Sequence, residues 1–322
     1  MTPTSATSTA TAERVLDAFE RIRRAQAQGR YAPHKPLLLL LALARIQQGQ
    51  PRLAPLAAVE PALEALLSEF GPTGSASRRH LPFWHLGTDA QGRLWQVDGP
   101  ANLRDRPAGA TPTLGELRQD GVTAGFTPQV HAALAADPML LRRVARRLLQ
   151  ACFPETLHAD IVAATGLDLE GPSTTVEEPA PAWGPATRRP RDGGFRERVL
   201  RAYEYRCCVC GFDLRVGHVP AGLEAAHIHW HHLGGPDVEP NGLALCALHH
   251  KLFDLGAFTI EPGDLRVVFS QHAIAGDRGT GGALAPHGRP ILRPQEPAAL
   301  PGRAFLEWNR RNVFKAPERS WR

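Results

Sequence analysis

The chain has little that marks a membrane or secreted protein. Its longest aliphatic run, Leu37 to Ala44, is eight residues, far short of the roughly 20 that span a bilayer. The first residues, Met1 to Thr11, are rich in Ser, Thr and Ala and lack the basic and apolar stretches of a secretory leader. Residues 1–12 therefore read as a disordered tail, and the chain as a cytoplasmic protein with no membrane partner. Cysteine is scarce and odd in number: five residues, of which Cys207, Cys208 and Cys210 sit within four positions. Such a cluster excludes a secreted disulfide framework and points to a metal site in a reducing compartment. No internal repeat is visible.

What remains is an ordinary globular composition: 322 residues, 43% of them hydrophobic, with a net charge of +5. That length suggests two domains. A mildly basic balance fits a polyanionic partner without identifying one.

The periodicity predicts a mainly helical first half. Val15, Leu16, Phe19 and Ile22 give a helix over 13–28 one apolar face. Pro36 suits a first helical position, so the run to Gln47 reads as a core helix. Pro61 to Phe70 reads as another, and Asp137 to Phe153 as a strong amphipathic one. In the last, Arg142, Arg143, Arg146 and Arg147 read as a solvated face. Leu94 to Val97 reads as a short strand. Residues 171–192 hold five prolines and few core-forming residues, the composition of a linker. The division is then a first domain over 13–170 and a second over 193–322. The expected class is α+β: a mainly helical domain with a short sheet, joined to a second domain for which the resemblance described below implies a small zinc-containing ββα fold.

Seven arginines lie between Arg188 and Arg206, the last of them beside the cysteines. A helix from Phe195 to Tyr205 leads into Cys207-Cys-Val-Cys210. Thirty-six residues further comes Cys246-Ala-Leu-His249. Two such knuckles can close a tetrahedral zinc site through Cys207, Cys210, Cys246 and His249. Cys208 is then a spare thiol, with its replacing Cys207 as the lesser alternative.

Between the knuckles lie Leu223-Glu-Ala-Ala-His-Ile228, Asn241-Gly-Leu-Ala-Leu-Cys246 and His249-His-Lys-Leu-Phe-Asp254. These segments resemble the His-Asn-His (HNH) endonucleases, and within them the McrA-like restriction subgroup. The resemblance covers residues 195–269, with a weaker tail at 305–315. His227, Asn241 and His250 match the three named positions, at intervals of 14 and 9 residues. The resemblance implies a base and a metal ligand on opposite sides of one phosphate. His227 would deprotonate water, since imidazole titrates near neutrality. His250 would hold Mg²⁺ or Mn²⁺, and Asn241 would hold the loop and orient His227. The chain departs from the family at Ala226, where many members carry a second metal ligand. Glu224 or His229 could supply it, because alternate residues on a strand share a face. Asp254 reads as a C-terminal loop residue making local hydrogen bonds in preference to a ligand, and His229, His231 and His232 as a solvated, DNA-facing loop in preference to a further metal site.

In the first domain, residues 31–40, 80–86 and 153–161 resemble the sulfur-binding domains of type IV restriction enzymes, which recognise phosphorothioated DNA. The resemblance implies that His34, Lys35, Leu81, Pro82 and His85 line a sulfur pocket, with Leu81 where relatives often have Tyr. Sulfur is softer than oxygen and a poorer hydrogen-bond acceptor. A pocket preferring it needs an apolar wall, here Leu81, Pro82 and Phe83, and nearby cations for the retained charge. Arg78, Arg79 and His85 would reach neighbouring phosphates or bases of the double-stranded DNA. Apolar differences of this kind give only about 1–3 kcal/mol, so base contacts must add to the selectivity.

The expected activity is hydrolysis of phosphodiester bonds near the modification. A homodimer would let one centre per chain cut both strands. Two other readings remain open. One is a nuclease directed at a different DNA mark, such as methylated cytosine. With three tyrosines in the chain, two just ahead of the cysteines, an aromatic base-reading pocket is poorly supplied. The other is a zinc-stabilised DNA-binding protein without catalysis.

Overall fold

The fold is described from a computed structural model, which places residues 3–22, 31–107, 109–170, 192–275 and 284–320. It divides into two compact units, Met1–Trp183 and Gly184–Arg322. Most of the expected linker (171–191, with Arg188, Arg189 and Arg191) lies outside the described residues, as does the end of the first expected helix.

The first unit is built on two helices. α1 (Pro3–Glu20) begins ten residues before the sequence reading placed its start. Its residues Val15, Leu16, Ala18 and Phe19 are buried. α2 (His34–Gln47) is buried from Pro36 to Ala44, as its all-round apolar sequence demands. It starts two residues before the expected position. Pro36 still falls in the first turn, where no N–H partner is lost.

β1 (Ala54–Pro55) leads into α3 (Leu56–Phe70), which carries Pro61 in its interior. Pro61 therefore does not start this helix, contrary to expectation. Burial of Leu56, Val59, Leu63, Leu66, Leu67 and Phe70 along one face outweighs the interior proline. The short helix α4 (Leu81–His85) follows a 3-10 turn at Ser75–Arg78. β2 (Trp95–Asp98), α5 (Ala101–Arg104), α6 (Leu114–Leu117) and β3 (Thr123–Phe126) come next. β3 is the centre of a three-stranded antiparallel sheet in the order β1-β3-β2, with Trp95 opposite Phe126.

α7 (Pro128–Ala136), α8 (Pro138–Cys152) and α9 (His158–Thr165) complete the unit. The Asp137 carboxylate caps α8 by accepting the N–H groups of Met139 and Leu140. The arginines of α8 are half-buried, not solvated. Arg146 donates to Leu169 O at 2.5 Å and Arg147 lies 3.5 Å from Glu20. Their long aliphatic stems flank the buried stripe Leu141, Val144, Ala145 and Leu148.

The second unit opens with α10 (Phe195–Ala202), which ends three residues earlier than expected. Glu204 and Tyr205 both take positive φ, near +55°, and turn the chain into the cysteine knuckle. A small hairpin, β4 (Arg215–Val216) and β5 (Val219–Pro220), precedes the central motif. That motif is an antiparallel pair, β6 (Leu223–His227) and β7 (Gly242–Cys246), followed directly by α11 (Ala247–Asp254). The register sets His227 opposite Gly242 and Leu223 opposite Cys246. α10 crosses this pair so closely that a Cβ on Gly242 would lie 2.4 Å from Val199 Cγ2. The hairpin β8 (Phe258–Ile260) and β9 (Val267–Phe269), with α12 (Arg303–Asn312), closes the core around Phe253, Phe258 and Phe269.

Candidate active site and metal centre

The metal centre forms where three elements meet. Cys207 and Cys210 come from the turn after α10, Cys246 from the end of β7, and His249 from the first turn of α11. Their ligand atoms all lie within 4.8 Å of one another. His249 Nδ1 stands 3.6 Å from Cys207 Sγ and 3.2 Å from Cys246 Sγ. A zinc tetrahedron with bonds of about 2.3 Å to sulfur and 2.0 Å to nitrogen has S–N edges near ~3.6 Å. His249 Nε2 is buried without a hydrogen-bond partner among the described residues, so the polar interactions of this ring run through Nδ1. Hydrogen bonding to Cys207, then burial, pushes the Cys246 thiol up to about 11. The thiols crowd one another in the way a shared cation relieves, and the donor set fits zinc. Cys208 is outside it. It is fully buried, and burial holds its thiol well above the ordinary range.

The candidate catalytic centre is built on β6, β7 and α11. His227 ends β6, its ring stacked on Phe195 with centroids 4.2 Å apart and planes 18° apart. Its Nε2 meets Asp237 Oδ1 at 2.7 Å. Burial pushes the Asp237 carboxyl up, but the Asp192 amide and His227 outweigh it and hold the group below the usual range.

Asn241 is fully buried just before β7. Its Oδ1 accepts the His229 N–H at 2.8 Å, and its Nδ2 donates to His229 O at 3.0 Å and Pro236 O at 2.9 Å. It holds the loop, as expected, through His229 and Pro236. The His227 ring itself is hydrogen-bonded to Asp237.

His250, on α11, reaches back to β6. Its Nδ1 lies 2.5 Å from Glu224 Oε2 and its Nε2 lies 3.3 Å from Asp254 Oδ2. Burial disfavours the charged ring. Hydrogen bonds to Asp254 and Glu224 prevail and raise it to about 9. The same bond from His250 lowers the Glu224 carboxyl. Asp254 corrects the sequence reading. It is a buried helical residue, and it also accepts the Trp230 indole N–H at 2.9 Å.

The two carboxylates therefore sit on different nitrogens of one ring. A cation held by Glu224 and His250 Nδ1 would have Asp254 behind it as the carboxylate that orients the imidazole. A divalent ion about 2.1 Å from both donors requires them to part slightly, to roughly 3 Å. Ala226 is fully buried and offers no ligand.

The loop after β6 is half-buried rather than solvated. His229 stacks on Trp308 at 4.1 Å, and burial lowers it to about 4. His231 Nε2 is 3.6 Å from Asp237 Oδ2 with 8% of its side chain exposed. His229 thus packs on Trp308, while Glu224 is in hydrogen-bond contact with His250.

In the first unit, the start of α2, the Ser75–Arg78 turn and α4 come together. His34 Nε2 is 2.9 Å from Ser75 O, and burial lowers its proton affinity. Lys35 Nζ lies 2.6 Å from the buried Asp89 carboxylate. Pro82 and Phe83 are buried, and Leu81 and His85 are half-buried. His85 Nε2 is 3.3 Å from Thr111 Oγ1. Arg78 is exposed. Arg79 does not reach outward as expected. Its guanidinium is 2.7 Å from Glu60 and 3.3 Å from Glu64, because the buried Glu60 requires counter-charge.

Asp237, Asp192, Arg198 and Trp308 escaped the sequence reading. Asp237 left one faint signal: it follows Gly234-Gly-Pro236 in the loop between two chemistry-bearing strands.

Residues 12–170 match the family model described as ScoMcrA-like, DNA sulfur-binding domain. Residues 207–261 match that of an HNH endonuclease, a span that includes His227, Asn241, His250 and all four candidate zinc ligands. Among solved structures, the sulfur binding domain of ScoMcrA complexed with phosphorothioated DNA is 25% identical, over 48% of this chain and 94% of that one, with a TM-score of 0.39. The sulfur binding domain of SprMcrA complexed with phosphorothioated DNA is 21% identical, over 50% and 96%, with a TM-score of 0.40. The type IV phosphorothioation-dependent restriction endonuclease ScoMcrA is 27% identical, over 47% of this chain and 28% of that one, with a TM-score of 0.37. No curated protein matches the chain. No helix among the described residues is long and apolar enough to cross a membrane. Residues 12–170 of this chain are thus similar to the ScoMcrA-like DNA sulfur-binding domains, and residues 207–261 to the HNH endonucleases.

Proposed function

We propose that the chain is a type IV restriction endonuclease of the cytoplasm: its first unit binds phosphorothioated DNA and its second hydrolyses phosphodiester bonds nearby. The observation that carries this reading is the joining, in one chain, of a sulfur-binding-family unit to a ββα motif with two imidazoles each held by a carboxylate: His227 by Asp237, and His250 by Glu224 and Asp254.

His227 acts as the general base. With its Nε2–H given to Asp237, the basic lone pair lies on Nδ1, from which it takes the proton of the attacking water. Asn241 keeps the loop behind His227 closed. Glu224 and His250 are the residues that would hold Mg²⁺ or Mn²⁺, which when bound supplies positive charge to the phosphate and the leaving 3′ oxygen. The zinc centre fixes the end of β7 and the start of α11, and so the position of His250.

In the first unit, Leu81 and Pro82 form the apolar wall toward sulfur, and His34, His85 and the exposed Arg78 face the phosphate. Lys35 contributes charge from its place on Asp89, while Arg79 is structural. Two chains acting together would cut both strands.

The test uses two matched plasmids, one from a phosphorothioating host and one unmodified, with Mg²⁺ or Mn²⁺. Cutting of the modified plasmid alone, lost in His227→Ala while binding persists, supports the reading. Equal cutting of both removes the sulfur-reading part, and binding without cutting under either ion removes the nuclease part.

A further inference from the structure

The loop between β6 and β7 carries a carboxylate outside the three-residue motif. Asp237 Oδ1 accepts from His227 Nε2 at 2.7 Å. Its other oxygen accepts the Asp192 backbone N–H at 2.7 Å. The side chain is 11% exposed, so these donors replace much of its hydration. The loop that bears it is braced from two sides. Arg198 of α10 donates to Asp237 O at 2.9 Å, to Glu239 at 2.6 Å and to Asp192 at 2.7 Å. Asn241 donates to Pro236 O at 2.9 Å.

We propose that Asp237 is the positioning residue for His227, fixing its tautomer and orientation. The proposal rests on the nuclease reading of His227. A neutral imidazole can carry its proton on either nitrogen. A carboxylate at Nε2 selects the tautomer with the lone pair on Nδ1 and stabilises the imidazolium formed when that nitrogen takes a proton. Phe195, stacked on the ring, prevents it from rotating away. The Asp192 amide favours the ionised carboxylate, and the Arg198 clamp holds in place the loop that bears it. Titratable groups near this pair also include His231, 3.6 Å from Asp237 Oδ2, and His229, whose proton affinity His227 lowers.

The test compares full-length wild type, Asp237→Asn and Asp237→Glu. Under single-turnover conditions with saturating cleavable DNA, Asp237→Asn cuts about 10²–10⁴-fold more slowly with unchanged DNA affinity. The acidic limb of its rate–pH profile moves to lower pH, because the imidazolium has lost its carboxylate. Asp237→Glu recovers part of the rate. Wild-type cutting and an unmoved acidic limb in Asp237→Asn would overturn the proposal. A second measurement needs neither cleavage nor a folded variant. Imidazole ¹⁵N spectra of wild type should show neutral His227 protonated at Nε2, and a ring protonated at Nδ1, or a mixture of both tautomers, overturns the proposal. Because this readout is independent of cutting, failure of the nuclease reading and failure of the Asp237 assignment are distinguishable.

Discussion

The ring of His229 lies against the Trp308 indole, centroids 4.1 Å apart and planes 26° apart. Burial is the main reason that its proton affinity falls to about 4, and repulsion from His227 adds to it. The folded state therefore binds fewer protons than the unfolded state, whose histidine titrates near ~6.5. The stability this contributes is complete above ~6.5 and is lost as pH falls from there toward about 4. His229→Phe keeps the stack and removes the titration. Melting curves from pH 8 to 4.5 should show the variant gaining on wild type only below ~6.5. A constant difference across that range would show that His229 is not held neutral.

Removal of zinc should unfold the second unit and leave the first intact. Structural zinc contributes folding free energy directly, and Cys207, Cys210, Cys246 and His249 tie α10, β7 and α11 together. Metal analysis should give one zinc per chain, lost in Cys246→Ser and in His249→Ala. Cys208→Ala should keep it, because Cys208 lies outside the donor set. Zinc lost with Cys208 and kept without Cys207 would reassign the knuckle.

Arg78 and Arg79 are neighbours with opposite roles. Arg78 is exposed. Arg79 and Arg118 share the buried Glu60, whose carboxyl they hold below its usual range, Arg118 most strongly. Arg79→Ala should lower the melting temperature of the first unit, with a cost on the order of 1–3 kcal/mol for a buried carboxylate left short of a donor. Arg78→Ala should melt as wild type does. It should also reduce the slope of log affinity for phosphorothioated duplex against log salt by about 1. Equal melting losses in the two variants would reject this division.

Asn241→Asp tests the loop closure. The substitution keeps the acceptor for His229 N–H and turns the donor toward His229 O and Pro236 O into a second acceptor. Each buried bond left unmade costs about 1–3 kcal/mol. The second unit should melt earlier, with zinc retained, and cleavage should fall. Unchanged melting would mean that the loop is held without Asn241.

Features that repeat at fixed short spacing could be read from the order of residues. Cys207 and Cys210 are three apart, as are Cys246 and His249, and each pair falls within one turn. The capping of α8 by Asp137 and the burial of α2 are local in the same sense: they depend on neighbours in sequence and on periodicity. The matches at His227, Asn241 and His250, at intervals of 14 and 9 residues, rested instead on the resemblance to the HNH endonucleases.

The partners of these residues belong to another class. Asp237 on His227, Trp308 under His229 and Glu60 between Arg79 and Arg118, with Glu60 and Arg118 58 residues apart, follow no periodicity. Apolar patterning tells which face of an element is buried. It leaves open which charged or polar groups arrive at the same place once the faces meet. Packing decides that, because a buried carboxylate or imidazole must find a partner there or lose the free energy of its hydration. The order of residues thus established two metal knuckles, a His-Asn-His hairpin and helix, and a helical first unit. Tertiary packing alone chose Asp237 for His227, put Glu224 rather than His229 beside His250, and turned Arg79 inward.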